Sequence, residues 1–201
     1  TIDEHSLTGA RTEKSLTPSL TLSYQQNEDM MFYAKAAQGF KSGGFDARSN
    51  LGGNFEFEEE KVISMELGSK LTLDQGAAEL NIAIFQMKFD DLQTSVYDGQ
   101  VGFNVLNAGK ATTTGIEIDS RWALSNDITL NGSLGLLNFE WDEFKGAKCF
   151  TSNVEVSNNV DETGNSCDLT GETNALVPDI TATLGIEHET FVFDEYELTT
   201  N

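Results

Sequence analysis

Basic residues are scarce in this chain. Lys and Arg number 12 against 33 Asp and Glu, for a formal net charge of −21 and an isoelectric point near 4.2. That sign repels phosphate and argues against a nucleic-acid partner. It also argues against simple attraction to an anionic membrane surface. The acidity reads as a solvated, saline-tolerant surface; the sharper alternative is that loop carboxylates bind cations or bridge to lipopolysaccharide through divalent ions. A run of about 18 or more apolar residues is missing, which excludes a transmembrane helix but not a barrel of alternating strands. The start at Thr1 is polar and lacks the apolar segment of a leader, so either a leader has been removed or the chain is an internal piece of a longer one.

Chemistry-bearing residues are few as well. The two histidines, His5 and His188, both read as surface residues. No CxxC or HExxH pattern is present, which argues against zinc. No nucleophile is spaced with a base, so no enzyme is expected, and no cofactor is implied. Lys41-Ser42-Gly43-Gly44 is not a phosphate loop, because no GxxxxGK precedes it and no helix follows. The acidic clusters Glu58-Glu59-Glu60, Asp90-Asp91, Asp142-Glu143 and Asp161-Glu162 match no calcium-loop spacing and read as solvated charge. Cys149 and Cys167 are the only cysteines. Both lie in one Gly/Asn/Ser/Asp-rich stretch, where a disulfide closing the loop in an oxidising compartment competes with two unrelated thiols.

What the chain does have is alternation. Leu16 to Tyr24 places Leu20 and Leu22 on one side and small polar residues on the other, as a half-wet strand requires. Met31–Gly39, Val62–Leu73, Ala77–Phe89, Val101–Leu124, Ile128–Trp141 and Ile180–Thr190 repeat the pattern, and an eighth segment begins at Tyr196. The apolar positions are Leu20 and Leu22; Ile63, Met65 and Leu67; Leu80, Ile82 and Ile84; Ile116 and Ile118; Leu130 and Leu134; Leu184 and Ile186. In a transmembrane barrel these would face lipid. The stretch after Phe89 is expected to continue to Tyr97 as a hairpin arm with its tip at Asp98-Gly99-Gln100. No segment keeps the apolar spacing of a helix.

Connections also alternate. Short turns fall at 25–29, 74–76, 125–127 and 191–195, and long polar stretches at 40–60, 90–109 and 142–177. Short turns on one side and long loops on the other are the plan of an outer-membrane β-barrel. At Asp74-Gln75-Gly76 the apolar positions change from odd to even, so the paired residues must sum to an odd number. A two-residue loop satisfies this. Tyr24, Phe32, Tyr33 and Trp122, with Phe191, Phe193 and Tyr196, flank the short turns as one interfacial girdle would; Trp141 and Phe144 lie at the opposite strand ends. Lys35, Glu66, Lys70, Glu79, Glu117, Asp119, Arg121 and Glu187 fall opposite the aliphatics, where they read as a wet lumen with ion pairs in the wall. A soluble all-β binding or adhesion module, with the apolar faces packed on each other, shares much of this pattern. So does a small passive outer-membrane barrel.

Four segments resemble the C-terminal barrel of TonB-dependent receptors. They are Tyr33-Ala34 through Gly39-Phe40-Lys41-Ser42-Gly43-Gly44-Phe45; Ser64-Met65-Glu66-Leu67-Gly68-Ser69-Lys70; Leu80 to Phe85 with Asp90-Asp91-Leu92-Gln93; and Asn107-Ala108-Gly109-Lys110-Ala111 before Gly115-Ile116-Glu117. The resemblance runs from about Leu16 to Glu187. It implies an all-β, antiparallel meander making about 8 of 22 barrel strands, with 1–201 a partial barrel domain that lacks the plug and the barrel ends. It further implies the bacterial outer membrane, contact with outer-membrane lipid, and partnership with the protein's own plug and with TonB through parts not in this sequence. The activity implied is energised uptake of a scarce small-molecule substrate such as a ferric siderophore, vitamin or oligosaccharide, bound by the plug and outer loops.

Overall fold

A computed structural model describes residues 8–47, 55–97, 103–148, 166–174, 177–192 and 196–200. In chain order the strands are β1 (Ser19–Asn27), β2 (Met30–Lys41), β3 (Gly44–Phe45), β4 (Glu56–Phe57), β5 (Glu60–Leu73), β6 (Ala78–Asp90), β7 (Gln93–Tyr97), β8 (Phe103–Asn107), β9 (Lys110–Ala123), β10 (Ile128–Glu143), β11 (Ala147–Lys148), β12 (Ser166–Cys167), β13 (Ile180–Val192) and β14 (Tyr196–Thr200). One eight-stranded antiparallel sheet runs β1-β2-β5-β6-β9-β10-β13-β14. Sequence neighbours in it are spatial neighbours, as an up-and-down wall requires. Each long connection carries its own two-stranded ladder: β3 with β4, β7 with β8, β11 with β12.

Register settles the faces, because successive side chains alternate and paired residues share a side. One row runs Leu22, Ala34, Leu67, Ile84, Ile116, Leu136, Ile180. The next runs Tyr24, Phe32, Ser69, Ile82, Ile118, Leu134, Ala182. Trp122 sits between Ala78 and Leu130, and Leu130 faces Ile186. The aliphatic positions read from sequence therefore lie on one surface, and no second layer covers it among the described residues. Leu184 is 83% exposed, Leu20 62% and Met65 60%. In water such a surface would be a large unpartnered patch.

Several sequence expectations change. The hairpin at Asp74 has odd parity, with Leu73 paired to Ala78, but its loop has four residues rather than two. Asp74 and Gln75 adopt left-handed φ of 50° and 57°, and the Ala77 N–H bonds to the Asp74 carbonyl at 3.1 Å. Gly76, at φ 97°, completes the turn without a side-chain penalty. The arm after Phe89 does not continue as one strand. Asp91, at φ 56°, breaks it, and β7 and β8 form a separate ladder; the Asp98-Gly99-Gln100 tip lies outside the described residues. Strands β2, β5, β6, β9, β10 and β13 have 12 to 16 residues, longer than a bilayer crossing needs. β13 starts level with Leu136 and runs past Ile128 toward the short turn, whereas in β2, β5, β6, β9 and β10 the extra length lies at the long-loop end.

There the pattern inverts. On β6 the aliphatic side gives way to Gln86, Lys88 and Asp90, while Phe85, Met87 and Phe89 turn to the other face. On β10 Asn138, Glu140 and Asp142 replace aliphatics, and Leu137, Phe139 and Trp141 turn inward. The buried residues collect at this end: Ala108, Ala111, Trp141, Phe144 and Ala147, with Phe89, Leu92, Val96, Phe139 and Leu169 packed around them. Trp141 and Phe144 are thus core residues beneath the long loops rather than surface aromatics.

Candidate functional site

The candidate surfaces are the polar face of the sheet and the loop cluster above it. On the polar face Tyr33 contacts two strand neighbours. Its ring lies over Gly68, where a Cβ would sit 2.4 Å from the ring, and its hydroxyl donates to Glu66 Oε1 at 2.6 Å. Tyr33 is therefore separated from Tyr24, Phe32 and Trp122, which share the aliphatic face. Phe85 covers Gly115 in the same way. An aromatic ring laid over a cross-strand glycine fills the missing side chain and sheds water from the ladder. Lys35 faces Glu66, Lys70 faces Asn81, and Glu79 faces Arg121 along the rows. Glu117, Asp119 and Glu187 lie on this face too, with Asp119 opposite Ser133 and Glu187 opposite Thr129.

Above the sheet the long connections are tied to one another. The Asn107 side chain accepts from the Glu58 N–H at 2.7 Å and donates to the carbonyls of Glu58 at 3.0 Å and Asp91 at 2.8 Å. Gln93 Nε2 donates to the carbonyls of Ser42 at 2.9 Å and Glu58 at 3.0 Å, and its N–H donates to Glu60 Oε2 at 2.8 Å. Asp46, 5% exposed, accepts the Val105 N–H at 2.7 Å. The segment before β1 joins this cluster. Arg11 binds Glu13 and Glu58 and donates to Glu56 at 2.8 Å, while Glu13 accepts the Gly43 N–H at 3.0 Å. The Glu58 carboxyl is held below the usual carboxylate range, first by its hydrogen bond from Arg11.

The remaining loop closes over Trp141. The Trp141 N–H bonds to the Glu172 carbonyl at 2.9 Å, and the Gly171 N–H bonds to the Trp141 carbonyl at 2.7 Å. Asp168 accepts from the Thr170 hydroxyl at 2.5 Å and from its N–H at 3.0 Å, which lowers the Asp168 pKa. Cys167 is buried here and is not a free thiol. Cys149 lies outside the described residues, so its pairing with Cys167 stands as a proposal.

Every acidic cluster that lies among the described residues has a protein partner. Glu59 pairs with Lys61 at 2.6 Å, Asp90 with Lys110 at 3.4 Å, and Asp142 accepts the Thr112 hydroxyl at 2.6 Å. No group of three metal-ligating side chains is placed together among the described residues. Asp161-Glu162, His5 and Phe193 lie outside them.

Sequence reasoning named the Asn107–Ala111 and Asp90–Gln93 segments by resemblance but missed their work. Asn107 and Gln93 bridge the loops, Gly109 passes close to Glu143, and Ala111 is fully buried. Arg11 and Asp46 were missed entirely, because their partners lie 45 and 59 residues away. The signal available for the loop core was the change of apolar parity after Ile84 and Leu136.

Comparison with known proteins agrees with this architecture. The pesticin receptor of Yersinia enterocolitica serotype O:8 / biotype 1B is 32% identical over 116 residues, 57% of this chain and 17% of that protein. The chain thus spans about a sixth of that relative's length. The ferric yersiniabactin uptake receptor FyuA from Yersinia pestis superimposes with a TM-score of 0.64 at 22% identity, covering 90% of this chain and 24% of that one. The ferric preacinetobactin receptor BauA from Acinetobacter baumannii superimposes with a TM-score of 0.56 at 22% identity, covering 91% and 24%. Residues 2–199 match the family described as TonB dependent receptor-like, beta-barrel. Fold, register and family match together establish that the chain belongs to the TonB-dependent receptor β-barrel family.

Proposed function

We propose that this chain is part of the barrel wall of an outer-membrane receptor that imports a scarce substrate with energy delivered through TonB. The observation that carries this reading is the single aliphatic surface spanning the main sheet, unpartnered among the described residues and ending where the pattern inverts. It extends over seven residues of β6 and eleven of β5, against the ~9–11 that a tilted strand needs to cross a bilayer. Leu20, Ile63, Ile116 and their companions on that surface would face lipid. Tyr24, Phe32 and Trp122 would sit at the periplasmic interface, and the three long loops would face outward. The charged opposite face would contact the protein's own plug.

A ferric siderophore is the favoured substrate class, because the two structural relatives described above are named for ferric yersiniabactin and ferric preacinetobactin; a vitamin or oligosaccharide is the second reading. The test uses the full-length protein in a receptor-deficient bacterium with and without functional TonB. Labelled ferric siderophores, cobalamin and oligosaccharides are offered in turn. TonB-dependent accumulation of a ferric siderophore supports the reading. Accumulation indifferent to TonB indicates a passive pore, and recovery in the soluble fraction indicates a soluble module.

A further inference from the structure

The face opposite the aliphatic surface is apolar only near the long loops. In one row there Thr113 separates Met87 from Phe139, and in the next Gly115 separates Phe85 from Leu137. Phe85, Met87, Leu137 and Phe139 are half-buried, whereas the row that ends in Trp141 is closed by the loop core. Farther from the loops the same face carries Glu79, Asp119 and Arg121. An apolar strip between charged wall and polar loops suits the flat, ring-bearing part of a small molecule.

The mouth above that strip is acidic. Stretches 40–60, 90–109 and 142–177 hold 15 Asp and Glu against four Lys and Arg. Arg11, which reaches this cluster from the segment before β1, is already engaged by Glu13, Glu56 and Glu58. Lys61 is held by Glu59 and Lys110 by Asp90. On the strip's own face Lys35 stands opposite Glu66 and Lys41 opposite Glu60. Glu143 is exposed at the end of β10, and Glu172 is exposed on the segment that roofs Trp141. Such a mouth repels a polyanion and admits an uncharged or cationic molecule.

We propose that the strip and the acidic mouth together select an uncharged or cationic, ring-bearing substrate and discriminate against polyanionic ones. The inference rests on the uptake reading, with the long loops outward, and narrows the substrates that reading allows. A trianionic ferric tris-catecholate has the rings but the wrong charge. An uncharged ferric trihydroxamate has the right charge but no ring for the strip.

The test dialyses the purified full-length protein against three radioiron complexes. One is a hexadentate ferric tris-hydroxypyridinone, which is uncharged. The second is a hexadentate ferric tris-catecholate of similar shape, which is trianionic. The third is ferrichrome, an uncharged trihydroxamate. The tris-hydroxypyridinone should bind about tenfold more tightly than the tris-catecholate, the low end of electrostatic focusing by a charged cleft. Added salt should narrow that ratio. Glu143→Lys combined with Glu172→Lys should narrow it about threefold and leave ferrichrome unchanged. Met87→Gln should weaken the tris-hydroxypyridinone about fivefold, as loss of one apolar contact side chain predicts, and spare ferrichrome. Gln86→Ala, on the other face of the same strand, should change neither.

Equal or tighter binding of the tris-catecholate overturns the proposal, as does binding of none of the three. A ratio unmoved by the two lysines also overturns it. So does an unaltered affinity in Met87→Gln, which would mean that the protein's own plug covers the strip. Heat-modifiable migration checks that each variant is a folded barrel. Accumulation of the same complexes with and without functional TonB is read separately. TonB-dependent uptake without the charge preference removes this proposal alone, and the preference without TonB-dependent uptake removes the energised-uptake reading alone.

Discussion

Asn107 holds the backbone of Glu58 as a neighbouring strand would: its Oδ1 accepts the Glu58 N–H at 2.7 Å and its Nδ2 donates to the Glu58 carbonyl at 3.0 Å. The same Nδ2 reaches the Asp91 carbonyl at 2.8 Å. One side chain thus joins the connection before β5 to both flanks of the β7–β8 ladder. Asn107→Ala should loosen both connections by about 1–3 kcal/mol, the cost of leaving such groups unpaired. Asn107→Asp should cost at least as much, since two carbonyls need a donor there. Hydrogen exchange of the 55–60 and 90–108 peptides in the full-length protein measures the effect. Unchanged exchange in both variants would show that the bridge contributes nothing.

Two glycines with positive φ should respond differently to alanine. Gly109, at φ 131°, would place a Cβ 2.1 Å from the Glu143 carbonyl oxygen. That clash with backbone adds to the left-handed strain, so Gly109→Ala should displace the Ala108–Ala111 segment and expose Trp141. Gly76, at φ 97°, has nothing within 4 Å, so Gly76→Ala should cost only about 1–2 kcal/mol of backbone strain. Thermal unfolding and tryptophan emission distinguish the two; equal losses would contradict the steric argument.

Trp141 is 2% exposed and touches Phe139 edge-on and Phe144 at a ring separation of 4.6 Å. Trp141→Ala should remove about 3–5 kcal/mol of local stability. The loss should appear in the 166–174 segment, whose Gly171 and Leu169 N–H groups bond to Trp141 and Phe144. The β1–β2–β5 ladders should keep their protection. Uniform loss across the sheet would mean that the loop core also supports the wall.

Acid should release the Arg11 clamp. The Glu58 pKa is lowered from its ordinary 4.5 in the folded protein. Its stabilising contribution is therefore complete above that value and disappears as pH falls through the lower folded value. Asp168, lowered from 3.8 by Thr170, follows the same sign. Exchange of the 43–58 peptide, corrected for intrinsic rate, should quicken as pH falls below the ordinary carboxylate value of 4.5, relative to neutral pH. Arg11→Gln should abolish most of that difference. A pH response unchanged in Arg11→Gln would remove Glu58 as its source.

The proposed Cys149–Cys167 disulfide predicts one covalent link across the loop between β11 and β12 that survives denaturation and is cleaved by a thiol reductant. Peptide mapping without reductant should recover the two cysteines in one cross-linked peptide. Alkylation of both thiols in the unreduced, denatured protein would exclude the link.

Strand positions were legible where one chemistry persisted along a segment. Ile63, Met65 and Leu67, or Leu80, Ile82 and Ile84, announce a half-apolar strand because alternation is local. Parity at the Asp74 hairpin was equally local. The loop length was not, since Asp74 and Gln75 enter left-handed conformations that no residue type there demands. The apparent arm from Phe89 to Tyr97 misled because Asp91 breaks it through a single φ angle. Tyr33 misled for a related reason: proximity to a turn suggested an interface, but its parity and the absent side chain at Gly68 drew it to the polar face.

The sequence by itself determined the all-β architecture, the side on which aliphatics gather, and the alternation of short and long connections. Each follows from period-two patterning and turn chemistry within a few residues. Only the tertiary structure decided how the long loops are held. Arg11 meets Glu56 across 45 residues, Asp46 meets Val105 across 59, and Trp141 is roofed by the strand-end segment at Gly171. Such contacts depend on which distant segments the sheet order brings to the same end, and no local pattern carries that information.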